Sequence, residues 1–400
     1  MLRRLFSLLL ALLLPCAALA ETLTAIPVPQ EGLTPISFSQ DGSVGLYSAN
    51  GQLVIVHADG TALPVTVSKT RGAADAYKNL AKLFSQGAKA IGGEGLIWSP
   101  DGRYAAIVNQ LRVVQMAQMI YDPIVIDMQT GEMFLLASYD NNLRRENSGT
   151  VLTASFSADS RHLYAVVWGN LNGSPFSLIR CDLTTLTTEV LHSWEGNTFW
   201  PHLTQLRDGS FLLLKDTQQL NNFTGLVHIT QEEDGYALSV TDFTQRMIFF
   251  YPRSMQYSAK SGHALILSNT SQGSNAYSNL LHLRPDEEIA PPSEYWAVSS
   301  LKASAVSVLS KNELQSPSDV VICSMRLSPD GERALLLCRE GSNFALLMLS
   351  IADRTLTPVT GVDSAALASL YPTSDVYLDW RGDVILLGRN AAAATAYRLD

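Results

Sequence analysis

Charge is scarce in this chain, and cysteine scarcer. Only 16% of the residues are Asp, Glu, Lys or Arg. The surface must therefore draw on Ser, Thr, Asn and Gln, a composition that suits short strands and turns better than long solvated helices. Basic residues are the rarer sign, with 28 Lys and Arg against 37 Asp and Glu. That balance argues against nucleic acid as a partner, because phosphate binding needs a basic surface. Four cysteines in 400 residues exclude a disulfide-built scaffold, so the core has to be hydrophobic. No later apolar run reaches the roughly 20 residues that span a bilayer, so no transmembrane segment is expected in the mature chain. Catalytic signatures are missing too. There is no G-x-S-x-G elbow, no H-E-x-x-H and no phosphate-cradling glycine loop. The seven histidines are scattered without metal-ligand spacing, and His57, His228 and His282 fall in strand-like segments as ordinary sheet residues. No catalytic residue, cofactor or metal is implied.

What is present starts with an export signal over residues 1–20. Arg3 and Arg4 precede the apolar run Leu5 to Leu14, and Ala18-Leu19-Ala20 supplies a small-x-small cleavage site. A mature chain from Glu21 holds 26 basic and 37 acidic residues, a net of −11. Its expected location is periplasmic or extracellular. Its cysteines are Cys181, Cys323 and Cys338.

An internal repeat organises residues 21–400 as one domain. An apolar residue, a polar turn ending in Gly, and an apolar strand recur seven times. The copies are FSQDGSVGLYS from Phe38, WSPDGRYAAIV from Trp98, FSADSRHLYAVVW from Phe156 and QLRDGSFLLLK from Gln205. YSAKSGHALILS from Tyr257, LSPDGERALLLC from Leu327 and LDWRGDVILLG from Leu378 complete the set. Ser and Asp bond locally to the backbone of the turn, and Gly takes the positive φ that closes it. Most copies are followed by a second turn, as at Asp59-Gly60, Thr130-Gly131 and Asp234-Gly235. Two hairpins per repeat make a four-stranded meander, with strands a to d running outward. The spacing exceeds the ~40–45 residues of a minimal blade, so the excess lies in insertions. The last repeat has only three strands, whereas ETLTAIPVP from Glu21 matches fourth strands such as GTALPVTVS and DRTLTPVTG. The expected fold is all-β: a β-propeller of about seven four-stranded blades, closed by the N-terminal strand. One helical insertion is expected near 73–90, where Tyr77, Leu80, Leu83 and Phe84 share a face.

The repeated FSPDG-type turn resembles the WD-like repeats of TolB-type β-propellers, over nearly all of residues 22–400. This chain carries more blades than TolB and no separate N-terminal α/β domain. The resemblance implies a binding platform, by analogy of fold.

The a–b and c–d turns share one face and are short. The long segments are all b–c and d–a connections, which places the expected partner face on that side. Met116, Met119 and Tyr121 lie in an early insertion, where they either form an adaptable contact surface or pack beneath the helix. Trp194 and Trp200 flank a d–a connection, with Trp168 at a nearby strand end. They either stack on a sugar or peptide or pack between blades. Trp98 and Trp380 read as structural. Two function classes follow. The first is an exported, non-catalytic binding platform for a protein or glycan partner, expected as a monomer. The second is a propeller hydrolase or lyase acting on polysaccharide or peptide at the channel mouth. Cys323 and Cys338 flank Asp330-Gly331 symmetrically, so a two-residue loop would set them opposite each other at bridging distance. A one-residue slip would turn the thiols to opposite faces of the sheet.

Overall fold

The structure is a computed structural model. It describes residues 21–29, 31–49, 52–69, 96–107, 111–112, 119–120, 124–136, 150–171, 174–194, 199–216, 225–242, 251–269, 278–289, 296–297, 302–303, 321–340, 343–370, 376–389 and 394–400. The expected helix near 73–90 and the expected export signal over 1–20 lie outside them.

The Ser-x-Asp turn is the local unit from which blades 1, 2, 3 and 6 start. Ser39, Ser99 and Ser157 each donate a 2.6 Å hydrogen bond to the carboxylate two residues on. Each Oγ also accepts the first N–H of the next strand, at 2.9, 2.8 and 2.9 Å from Val44, Tyr104 and His162. The same carboxylates accept a third bond of 3.0 Å from Ser43, Arg103 and Arg161. Ser328 and Asp330 repeat the arrangement. Gly is required between these anchors because the chain turns through positive φ, as at Gly102 (φ 70°). In blade 3 that place is taken by Ser160 (φ 61°). Its hydroxyl accepts the N–H of Asp101 at 3.1 Å and so ties the turn to the preceding blade.

The chain opens with β1 (Glu21–Ala25). Blade 1 is β2 (Thr34–Phe38), β3 (Val44–Ala49), β4 (Gln52–His57) and β5 (Ala62–Pro64). The chain then passes through β6 (Thr66–Val67) into blade 2, formed by β7 (Leu96–Trp98), β8 (Tyr104–Ile107), β11 (Ile124–Asp127) and β12 (Glu132–Leu135). Within its b–c insertion, β9 (Leu111–Arg112) and β10 (Met119–Ile120) make a separate hairpin. Blade 3 is β13 (Thr150–Phe156), β14 (His162–Leu171), β15 (Ser174–Asp182) and β16 (Thr188–Trp194). Blade 4 is β17 (Phe199–Gln205), β18 (Phe211–Asp216), β19 (Gly225–Glu232) and β20 (Gly235–Asp242). Blade 5 is β21 (Tyr251–Tyr257), β22 (Ala264–Asn269), β23 (Ser278–Leu283) and β24 (Trp296–Ala297). After β25 (Lys302–Ala303), blade 6 is β26 (Val321–Leu327), β27 (Arg333–Glu340), β28 (Asn343–Ser350) and β29 (Thr355–Thr360). A short helix, α1 (Ser364–Ala368), leads to β30 (Tyr377–Arg381), β31 (Val384–Gly388) and β32 (Ala394–Leu399) of blade 7. Among the described residues no helix is long and apolar enough to cross a membrane.

The strands are apolar on both faces because each blade is packed between two others. In β27, Leu335 and Leu337 belong to the cluster shared with blade 7. Their neighbours Ala334, Leu336 and Cys338 belong to the cluster shared with blade 5. Continuous runs such as ALLLC are what burial on both faces demands, where one-sided strands would alternate.

The ring closes as the repeat predicted. β1 runs antiparallel to β32, with Leu23 opposite Leu399, and supplies the fourth strand of blade 7. Its first two residues do something the repeat does not announce. Glu21 and Thr22 pair in parallel with Val359 and Thr360 of β29, which joins the sheets of blades 6 and 7 through one strand. Leu23 is 2% exposed and lies in the apolar cluster between those blades.

The two cysteines show where register departs from expectation. Leu327 opposes Ala334 and Ser324 opposes Leu337, the register of the symmetric hairpin that would set Cys323 against Cys338. A β-bulge then intervenes, and Ile322 takes the place opposite Cys338. Cys323 packs toward blade 7 and Cys338 toward blade 5. Cys338 is a buried free thiol, so the two are not bridged. Burial pushes its pKa far up, with a smaller contribution from Cys323.

Two outcomes follow from this architecture. Truncating Leu23 to Ala should lower stability by about 2–5 kcal/mol, read as a drop in Tm. Gly361→Ala should act in the same direction, since Gly361 has φ +91° and a Cβ there would overlap the backbone of Leu23. An unchanged melting curve for both variants would show that the ring does not depend on β1. Alkylation of denatured protein without reductant should modify Cys181, Cys323 and Cys338 alike.

Candidate functional site in the central channel

The innermost strands surround a cavity of about 680 Å³ that reaches the a–b turns. Its wall is set by repeat position. The residue two before the first turn position is Ser155, Thr204 and Gln256 in blades 3 to 5, and Ile97 in blade 2. In blade 6 the same position is Arg326. Blade 7 departs from the repeat again. Aligned on Gly382, its turn reads Asp379-Trp380-Arg381, so a carboxylate replaces the usual Ser and a guanidinium replaces the usual Asp.

These two departures meet. Asp379 Oδ2 lies 3.2 Å from Arg381 Nε, and Oδ1 lies 3.6 Å from Arg326 Nε. Ser37 Oγ donates to Asp379 at 3.2 Å, and Trp98 Nε1 donates to Ser37 at 2.9 Å. The backbone N–H of Trp380 adds a further bond of 3.1 Å to Asp379. Blades 6, 7, 1 and 2 are thus linked through one buried carboxylate. The side chains of Asp379 and Arg326 are only 7% and 11% exposed, against 27% for Arg381. Burial drives the Asp379 pKa upward, but Arg381, Arg326 and the Ser37 bond more than offset it and hold it below the ordinary carboxylate range. Tyr377, pushed upward by burial and then by Asp379, donates from its hydroxyl to Ile36 O at 2.7 Å.

Four cations line the cavity: Arg207, Lys260, Arg326 and Arg381, with Asp379 the one carboxylate among the lining residues. Arg207 also lies 3.5 Å from Asp286. The turn aspartates do not line it, because their carboxylates point back into their own turns. His202 and Gln256 complete the polar wall, and Gln256 is tied to blade 6 by bonds to Met325 O (3.1 Å) and from Leu327 N (2.7 Å).

The residues expected to bind a partner do not meet here. Trp194 is half-buried on the outer strand β16, stacked on Phe176 and His192 with centroids 6.1 Å apart in each case. It belongs to the cluster between blades 3 and 4. Trp168 lies in β14 opposite Phe176, Trp200 in β17, and Met119 in β10 opposite Arg112. Met116 and Tyr121 lie outside the described residues. Trp98 and Trp380 are structural as expected, the latter donating to Gly382 O at 3.1 Å. Among the described residues no three His, Cys, Asp or Glu side chains are placed to hold a metal ion.

One pair was not foreseen. His263 Nδ1 and His282 Nε2 are 2.6 Å apart across adjacent strands. Burial, then His263 and Arg284, lowers the His282 pKa to about 4. Burial also lowers His263.

No protein-family model and no curated protein sequence matches this chain. Solved structures do resemble it. The oligogalacturonate lyase of Vibrio parahaemolyticus superposes with a TM-score of 0.55 at 12% identity, covering 94% of this chain and 93% of that one. An oligogalacturonate lyase in complex with manganese gives 0.52 at 12% identity, over 94% and 92%. A putative TolB of Agrobacterium tumefaciens gives 0.39 at 12% identity, over 66% and 79%, too loose a fit to argue from. The chain has a β-propeller fold. At such identities the likeness concerns fold alone.

Because His282 and His263 are held neutral in the fold and free in the unfolded chain, lowering the pH adds protons to the unfolded state first. Stability should therefore fall from about pH 6.5 toward pH 4. Melting scans across that range should show a shallower fall for His282→Gln than for the unmodified protein. Parallel curves would sink this account.

Proposed function

We propose that the protein is an exported, non-catalytic binding propeller whose ligand sits in the central channel and enters from the a–b turn side. The observation that carries this reading is the break in the repeat. Blades 1 to 3 build the turn and the inner wall with uncharged residues or self-satisfied aspartates. Charge is instead concentrated where Arg326, Asp379 and Arg381 converge on one cavity. Burying a charge cluster is no efficient route to stability, since apolar packing of the same volume does as well. A cavity large enough for a small molecule or a chain end, walled by a few fixed polar groups, is the usual form of a ligand site. The face of long b–c and d–a loops, with Met116, Met119, Tyr121, Trp168 and Trp200, remains the proposed surface for a larger protein or glycan partner.

An enzymatic reading has one observation behind it. His202 lines the same cavity as the two arginines, and a base beside cations that stabilise negative charge is a working combination for proton abstraction. The two lyase neighbours raise interest in that reading without deciding it.

Filling the channel tests the proposal. Ser155→Trp and Thr204→Trp should abolish capture on glycan and peptide arrays while the melting temperature stays within a few degrees of the parent. Capture that survives both substitutions would place the ligand elsewhere. Conversion of a captured ligand into product would replace the binding reading with the enzymatic one.

A further inference from the structure

We infer that the channel ligand carries an oxyanion, a carboxylate or a phosphate, and that Arg381 and Arg326 receive it. The inference rests on the channel being the ligand site and adds the chemical class that the site selects.

Charge sign is the first ground. The whole chain is acidic, with a net of −9. Its channel has the opposite sign, with four cations against Asp379 on the wall and Asp286 beside Arg207 at the rim. A cleft with low-dielectric walls focuses such a field and concentrates counter-ions of opposite charge. The acidic turns around the mouth do not cancel it. Asp41, Asp101, Asp159 and Asp330 spend their oxygens on their own turns, and none lines the cavity.

Geometry is the second ground. Arg381 takes the place where blades 1 to 4 and 6 keep a carboxylate bonded to its own turn. Its Nε lies against Asp379 at 3.2 Å, and Arg326 Nε lies against the other oxygen of the same group at 3.6 Å. One buried carboxylate therefore orients two guanidinium groups from adjacent blades, with one positive charge in excess. Trp98, Ser37 and Trp380 fix the carboxylate in turn. Arg381, held by its Nε edge, keeps a planar fork of donors that matches carboxylate and phosphate geometry, while Arg326, which also donates from Nη1 to Met325 O at 2.9 Å, adds a second fixed positive charge. Preorganisation of this kind reduces the ordering that binding would otherwise require. Thr204 and Ser155, on blades 4 and 3, line the cavity with neutral hydrogen-bonding groups, which suits a polar ligand body attached to the anion.

The test is calorimetric titration of the purified protein with three probes at low and high salt: inorganic phosphate, a trimeric uronic-acid oligosaccharide, and the neutral methyl ester of that trimer. The charged trimer or phosphate should bind, more weakly at high salt, and the ester at least about 10-fold more weakly. Arg381→Gln, the more exposed of the two positions, should weaken the charged probe by about 10- to 100-fold, as loss of a charge-assisted bond does. Arg326→Lys keeps the charge and should weaken it by a smaller factor, with melting curves confirming the fold of both variants. Phosphate binding alone would identify a free oxyanion, and trimer binding alone an oxyanion carried on a saccharide; either supports the inference. Equal binding of trimer and ester, insensitive to Arg381→Gln yet lost in Ser155→Trp, would keep the channel as the ligand site and overturn the anion. Binding of a charged probe that survives Arg381→Gln, Arg326→Lys and Ser155→Trp would overturn both. Failure of both charged probes to bind would overturn the inference.

Discussion

Every blade hides both faces of its middle strands against its neighbours, so no blade can shed water from its apolar surface until the ring around it is in place. The clusters of buried side chains lie between blades rather than within them. Each innermost strand, in turn, has a strand neighbour on one edge only and turns the other edge toward the channel. Polar links at every junction tie these edges and turns together. Trp98 reaches Ser37, Asp101 reaches Ser160, and Leu203 reaches Thr153 at 3.0 Å. Arg207 donates to Ala259 O and Lys260 O, and Gln256 bridges to blade 6. Asp379 serves the last two junctions, through Arg326 on one side and Ser37 on the other.

That double duty is why the blade 7 departure bears on both fold and site. A serine at position 379 would complete an ordinary turn and leave Arg326 facing Arg381 without the charge between them. Removing one partner of a buried ion group is far more damaging than replacing the whole group. The cluster is thus retained as a unit or lost as a unit, and its cationic excess comes with it.

Much of the fold was legible because the turn chemistry is local. Ser, Asp and Gly at fixed offsets declare a hairpin wherever they occur, and the missing strand in the last repeat pointed to Glu21. The bulges were not legible. They recur in the innermost strands at Ile36, Leu152 and Cys323, where an extra residue depends on how the strand curves around the channel and leaves no mark in apolar sequence. The cysteine pair fell to that effect alone, since the register up to Ser324 was the anticipated one. His263 and His282 escaped notice because cross-strand neighbours in different hairpins have no fixed sequence spacing. The site itself carried a signal that loop length obscured. Insertions drew attention to the b–c and d–a face, while the proposed channel site is marked by residues that break the repeat, Arg326, Asp379 and Arg381. In a repeat fold, the scaffold explains the residues that agree, so function is best sought among those that do not.

The pairing of β1 also has a kinetic meaning. Thr24 and Asp400, whose side chains are hydrogen-bonded, are 376 residues apart in sequence. Contacts of such separation form late, because the loop they close must first be ordered by everything between. The segment made first is therefore the segment placed last. Until residues near 399 have emerged, blade 7 lacks its outer strand and the edges of blades 6 and 7 stay open. A chain threaded across a membrane from its N-terminal end would keep the latch outside and unfastened throughout its passage. It would become compact only on the far side, with its closing strand already waiting there.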